Sequence, residues 1–334
     1  MKHQAFCNRL GLRHPIVQAP IGGASTVELV ASVCNAGGMG MLSGTWREPV
    51  ALARMVSRIR ALTDRPFGVN FVLEWDMRER VRICLDAGVE HFSFFWGDPA
   101  TYVDEIHRSG GTVWCTVSDP AVVRERCGAG VDVLVAQGWE AGGHVEGALS
   151  TMALVPRVVD FAQGVPVLAA GGIADGRGIA AALCLGAAGA WIGTAFLAAE
   201  EACVHPAYQD RLFQSEGIDT IHTDLFDGGW PKAPHRVLRN SDWVAWKQAG
   251  APDPGSRPGE GMVIGHDPEG DPVVRYTSHL PRPGGTGDIL NQALYSGQGV
   301  GLVRRRQPAS EIVGAMASQL AETLAGLDAS RGDR

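Results

Sequence analysis

Residues 137–147 read Gln-Gly-Trp-Glu-Ala-Gly-Gly-His-Val-Glu-Gly, a single imidazole set among glycines. An apolar run over 131–136, Val-Asp-Val-Leu-Val-Ala, leads straight into them. That run has the length and β-branched content of a buried strand, which puts His144 in a Gly-rich loop just past a strand's carboxyl end. In parallel α/β folds that end is where ligands bind. Glycine lets the backbone approach a ligand closely, and histidine moves protons near neutral pH. The competing reading is a histidine satisfied inside a structural turn.

Two further strand ends carry glycine. The run over 165–170 opens into Gly171 and Gly172, and the run over 189–192 ends in Gly193 and Thr194. These are the seventh and eighth apolar runs of the chain. In many barrels the loops after strands seven and eight bind phosphate through backbone N–H groups and a helix N-terminus. Gly171, Gly172, Gly193 and Thr194 are therefore the candidate phosphate site. Tight helix–strand packing explains one such pair easily and two consecutive pairs less well. A phosphate there, beside polar strand ends, suggests a phosphorylated cofactor, and FMN fits. Asn70 and Gln137 end the third and sixth runs, and their amides offer both donors and acceptors to a flavin ring without adding charge. Either amide alone would also suit a turn cap.

These residues need a scaffold that brings many strand ends together. Eight short apolar runs begin near Ile16, Gly38, Phe67, His91, Thr112, Val131, Val165 and Gly189. Helical spacing fills the intervals 27–34, 50–62, 78–87 and 121–126. Asp98-Pro99 and Asp119-Pro120 match a helix cap followed by the first helical position. Glycines near 37, 88, 130 and 186 suit helix ends. Alternating strands and helices over about 200 residues predict an α/β fold, a (β/α)8 TIM barrel. A doubly wound sheet is the rival, but no GxGxxG follows the first run; Gly22-Gly23 is all its loop offers.

Composition shifts after about residue 217, and nine of the 19 prolines fall between Pro231 and Pro283. The expected division is 1–217 plus 304–330 as the barrel, with 218–303 as an irregular cap inserted after strand eight, over the barrel mouth. Strand candidates there are 262–264 and 273–276, and Trp230, Trp243 and Trp246 favour a packed lid over a linker. Residues 310–327 have the spacing of a closing helix, and 328–334 read as a frayed end.

Composition bounds the function. The chain has 334 residues, 45% apolar and 19% charged, with a formal net charge of −7. No basic run points to nucleic acid, and no apolar run approaches the roughly 18 residues of a membrane span. The start lacks a signal-peptide core. Seven cysteines without CxxC spacing read as buried apolar side chains in a reducing, cytoplasmic setting, with no metal site. Cys115 falls on a strand and could face the barrel interior, as packing.

The motifs together resemble the nitronate monooxygenases, once called 2-nitropropane dioxygenases, which are FMN-dependent TIM barrels. The resemblance rests on Gln-Ala-Pro-Ile-Gly at 18–22, Gly-Gly-Met-Gly-Met at 37–41, Gly-Val-Asn-Phe at 68–71, Gln-Gly-Trp-Glu-Ala-Gly-Gly-His at 137–144, the segments 169–178 and 192–196, and Tyr-Ser-Gly-Gln-Gly-Val-Gly at 295–301. It implies that FMN is held by backbone at Ile21 and Gly22, by the side chains of Asn70 and Gln137, and by Gly142. It implies that the phosphate meets Gly172 and the turn Trp191, Ile192, Gly193, Thr194. His144 matches the catalytic histidine, which would abstract the α-proton or stabilise the bound nitronate while O2 completes the oxidation of nitronates or, in some members, nitroalkanes. The expected partners are a small-molecule substrate and O2; a homodimer remains open.

Departures from the family pattern are Ile21, where methionine is common, and the segment 224–236, found in only part of the family. Lys232, His235 and Arg236 there read as a solvated face before a clamp for an anion. Trp139 and Trp230 either wall the pocket or pack. The competing functions are an FMN-dependent enoyl-acyl-carrier-protein reductase using NAD(P)H, a phosphate-ligand barrel without flavin, and a non-catalytic binder.

Overall fold

Buried β-branched and aromatic runs separated by amphipathic helices leave one way to cover every apolar face: a closed parallel sheet inside a helical shell. The computed structural model, which describes residues 2–332, has that form. Its strands in chain order are β1 (Ile16–Gln18), β2 (Met39–Ser43), β3 (Gly68–Val72), β4 (His91–Phe95), β5 (Thr112–Val117), β6 (Val133–Gln137), a two-residue β7 (Gly143–His144), β8 (Val167–Ala170), β9 (Gly189–Ile192), β10 (Thr220–Thr223), β11 (His235–Leu238), β12 (Val263–His266), β13 (Pro272–Val274) and β14 (Thr286–Gly287). Strands β1 to β6, β8 and β9 pair in parallel in chain order, and β9 closes on β1. The barrel is the eight-stranded one expected, and each of its strands starts within two residues of the expected place.

The shell helices are α2 (Val27–Asn35), α3 (Pro49–Leu62), α4 (Arg78–Asp86), α5 (Ala100–Arg108), α6 (Val123–Gly128), α7 (Thr151–Phe161), α8 (Gly176–Cys184) and the closing α11 (Ala309–Gly332), which packs on α8 and α2. Helix α11 runs past 327 into the expected frayed end, of which 333 and 334 lie outside the described residues. Asp119 caps the turn after β5 by accepting from the Ala121 N–H at 2.9 Å, and Asp98 accepts from Ala100 N–H at 3.0 Å. No described helix is long and apolar enough to cross a membrane.

Strand alternation separates two cores. Val133 and Val135 of β6 face inward with Trp114, Leu168 and Trp191, while Leu134 and Ala136 face the helices. Cys115 follows Trp114 and so faces the helical layer, not the barrel interior as expected. Helix α1 (Lys2–Leu10), not anticipated from the spacing, plugs the strand-start end, where Phe6 lies 6.1 Å from Trp114.

Residues 218–303 are less irregular than their composition suggests. Leu225, Phe226, Val237, Tyr276 and Ala293 form a small core of their own beside Trp243 and Trp246. Arg257 stands 8% exposed and grips Asp227 through two bonds of 2.7 and 2.9 Å. Both strand candidates exist as β12 and β13, paired antiparallel; β13 ends at Val274, before Tyr276, whose φ is 70°. Helix α9 (Pro206–Phe213) leads to the segment; within it β10 pairs with β11, helix α10 (Ser241–Gln248) follows, and β14 pairs with β12.

Candidate active site

The carboxyl ends of the barrel strands form the floor of a cavity of about 800 Å³. This lies in the upper part of the roughly 300–1,000 Å³ range of small-molecule sites. Ile21, Gly22, Asn70, Gln137, Gly142, His144, Gly171, Gly172, Trp191, Gly193 and Thr194 all line it. Ile192 does not: its side chain is 1% exposed and packs into the core behind the wall with Ile16 and Phe196. The roof comes from the 218–303 segment, including Trp230, Leu280, Arg282 and Tyr295.

His144 stands on a strand, not in a free loop. Strand β7 pairs antiparallel with β11, His144 opposite His235, and Val145 N–H donates to Pro234 O at 2.9 Å. Its ring stacks on Trp230 at 4.0 Å between centroids and meets Trp96 edge-on at 6.2 Å, with Tyr295 and His235 each 5.5 Å away. Its Nε2 is buried without a hydrogen-bond partner. Burial, then the neighbouring His235, lowers its pKa to about 3, so the imidazole is neutral in the physiological range. Trp96 holds a φ of 63°, rare for a bulky residue, in the turn after β4. Such strain costs about 1–3 kcal/mol and gathers at functional sites.

Gln137 ends β6 as expected, whereas Asn70 lies within β3, which runs on to Val72; both line the cavity. Asn70 Nδ2 donates to Ser93 O at 3.2 Å and Oγ at 3.1 Å, which leaves its carbonyl oxygen as a free-standing acceptor. Gln137 Nε2 donates to His144 O at 3.0 Å, while its Oε1 is buried without a partner. The orphaned Gln137 Oε1 and His144 Nε2, in the wall of one cavity, are what a polar ligand would satisfy.

The glycines divide. Gly171 (φ 108°) and Gly172 (φ 71°) hold left-handed conformations that only glycine takes easily. Gly142 is required by packing, since a methyl there would fall 2.4 Å from Gly297 N. Gly193 has room for one, 3.5 Å from Ile21 Cγ2. Thr194 Oγ1 accepts from Gly297 N–H at 3.0 Å, joining the motif at 295–301 to the barrel. The helix N-terminus expected to help hold phosphate is already taken. Gly176 N–H donates to Gln319 at 2.8 Å and Gly178 N–H to Asp175 at 3.0 Å.

His235 and Arg236 are 0% and 2% exposed, so they are not the solvated face expected; Lys232 is exposed. His235 donates from Nδ1 to Ala233 O at 2.9 Å and accepts at Nε2 from Phe226 N–H at 3.3 Å, a neutral tautomer. Arg236 donates to Trp139 O at 2.8 Å and covers the Trp139 ring at 5.2 Å. Thus Trp230 walls the cavity and Trp139 packs outside it. Sequence reasoning missed Trp46, Arg47 and Trp96. Trp46 and Arg47 follow β2 within four residues of its end, the position that singled out the other strand ends. Among the described residues no group of three His, Cys, Asp or Glu is placed to hold a metal.

The comparisons agree with this geometry. The profile of the nitronate monooxygenase family matches residues 4–79 and 72–319. The solved structure of FabK from Thermotoga maritima is 29% identical, with TM-score 0.79 over 98% of both chains. That of nitroalkane oxidase from Streptomyces ansochromogenes is 28% identical, with TM-score 0.78 over 97% of this chain and 99% of that one. A (3aS,4S,5R,7aS)-5-hydroxy-7a-methyl-1-oxo-octahydro-1H-indene-4-carboxyl-CoA dehydrogenase of Mycobacterium tuberculosis is 38% identical over 69% of this chain, which spans 64% of that relative's length. With a family match spanning nearly the whole barrel and its roof, the chain belongs to the nitronate monooxygenase family.

Proposed function

We propose that this chain is an FMN-dependent oxidoreductase that oxidises alkyl nitronates with O2. The observation that carries the reading is the orphaned Nε2 of His144, which shares the cavity with the orphaned Oε1 of Gln137. Asn70 and Gln137 would hold the flavin ring, with backbone at Ile21, Gly22 and Gly142 beside it. Gly171, Gly172, Trp191, Gly193 and Thr194 would hold the phosphate. Bound FMN supplies an electron acceptor that, once reduced, reacts with O2.

The state of His144 selects among substrates. A base with a pKa of about 3 is a poor match for removing an α-proton from a neutral nitroalkane near pH 7. A nitronate has already lost that proton. His144 then acts as a neutral hydrogen-bonding group against the nitro oxygens, and the anion itself would raise the imidazole's proton affinity. The aromatic rings around it exclude water from that contact. Residues 218–303, as the lid, would close the site.

The test is an absorbance spectrum of purified protein reconstituted with FMN, followed anaerobically. A nitronate should bleach the flavin band, and air should restore it. A colourless protein that takes up no FMN would remove this reading and leave a phosphate-ligand barrel. The second reading, an FMN-dependent enoyl-acyl-carrier-protein reductase, gains from a cavity of about 800 Å³, ample for more than a small nitronate. NAD(P)H oxidation without any nitronate would favour it.

A further inference from the structure

Among the described residues the cavity holds one arginine without an ion-pair partner. Arg47 lies in the turn after β2 and lines the cavity. The turn is pinned: Gly44 N–H donates to Asn70 O at 2.9 Å, Val72 N–H to Thr45 Oγ1 at 2.8 Å, and Arg80 Nε to the Arg47 carbonyl at 2.9 Å. Among the described residues its guanidinium makes no hydrogen bond, ion pair or ring contact. Of the cavity's carboxylates, Glu140 and Asp267 are engaged elsewhere, and neither they nor Asp271 form an ion pair with Arg47 among the described residues. Asp267 pairs with Arg282 at 3.2 Å and accepts from Asp271 N–H at 2.9 Å, and Glu140 accepts from Thr151 at 2.8 and 2.9 Å. Burial lowers the Arg47 pKa; nearby Cys203 works against that shift, and the like charge of Arg282 adds to it.

An aromatic wall connects this cation to His144. Trp230 stacks on the imidazole at 4.0 Å; Trp46 follows at 6.1 Å from Trp230, braced by Trp75 at 5.9 Å. Trp46 is 52% exposed and Trp230 2%, so the wall runs from solvent to the buried imidazole. An apolar chain laid along it would have one end at His144, and Arg47, the residue after Trp46, lines the same cavity.

We propose that Arg47 binds an anionic group, phosphate or carboxylate, at the far end of an extended apolar substrate whose body lies on Trp230 and Trp46. The assignment rests on the cavity being an oxidoreductase site, and it makes the substrate an amphipathic anion instead of a short nitronate. Arginine suits either anion through two parallel N–H donors.

The test uses the full chain loaded with FMN and three probes: octyl phosphate, octanoate and octanol. Affinity is read by quenching of tryptophan fluorescence. At least one anion should bind about tenfold or more tightly than octanol, as a charge-assisted hydrogen bond allows. The tighter anion tells phosphate from carboxylate. Arg47→Gln should remove the preference for the anion, and Arg47→Lys should restore part of it with the flavin still bound. Equal affinity of wild type for all three probes would overturn the inference, as would an unchanged preference in Arg47→Gln. Loss of FMN from both variants would also overturn it, since Arg47 would then serve the cofactor. Nitronate oxidation by the wild type is measured alongside. Turnover without anion preference defeats the inference alone, and anion preference without turnover supports it while defeating the nitronate reading.

Discussion

At the scale of single residues, His144 separates function from stability. Its Nε2 is buried without a partner, and an unmet buried polar group costs about 1–3 kcal/mol. His144→Leu keeps the apolar contact with Trp230 and removes that cost. We expect an unchanged or higher melting temperature, retained FMN by absorbance, and turnover lower by about 10²–10⁴-fold. A large drop in melting temperature would make the histidine a structural residue. Gln137 gives the complementary case. Its Oε1 also lacks a partner, so Gln137→Leu should weaken FMN affinity, measured by fluorescence titration, more than it disturbs folding.

Among the elements, the close approach of the 295–301 segment to the β7 loop governs the site. Gly142→Ala would set a methyl 2.4 Å from Gly297 N and 2.6 Å from the Ser296 carbonyl carbon. Overpacking of this kind costs about 1–3 kcal/mol. Calorimetry should show a lower melting temperature, together with weaker FMN retention. Gly193→Ala is the control, since its new methyl would meet Ile21 at 3.5 Å, an ordinary contact. These positions also explain what the sequence could reveal. The barrel strands were legible because each is a short apolar run, and most follow a glycine that ends the preceding helix. Their inner and outer faces were not, because a strand buried on both sides carries no polar alternation, which is why Cys115 was misplaced. The β7–β11 pairing was not legible either. It joins two residues to a distant segment with no local pattern, and it turns His235 and Arg236 from an expected surface into buried wall.

Over the whole molecule, three buried histidines set the acid limit. Burial lowers His91 to about 4, His144 to about 3 and His235 to about 4, against an ordinary 6.5. Below pH 6.5 the unfolded chain takes up protons that the folded chain refuses until about pH 4 or below, so stability is lost as pH falls through that window. Each histidine contributes up to about 1.4 kcal/mol per pH unit. Melting temperature should fall steeply between pH 6.5 and 4, and His91→Gln should flatten the slope. The strand bearing His144 carries one more consequence. Its hydrogen-bonded neighbour, β11, belongs to the 218–303 segment that supplies the roof. Swinging the roof aside as a hinged door would unzip the very ladder that aims the imidazole. Entry past Trp46, which stands 52% exposed on the cavity wall, would leave that ladder whole and the imidazole in place.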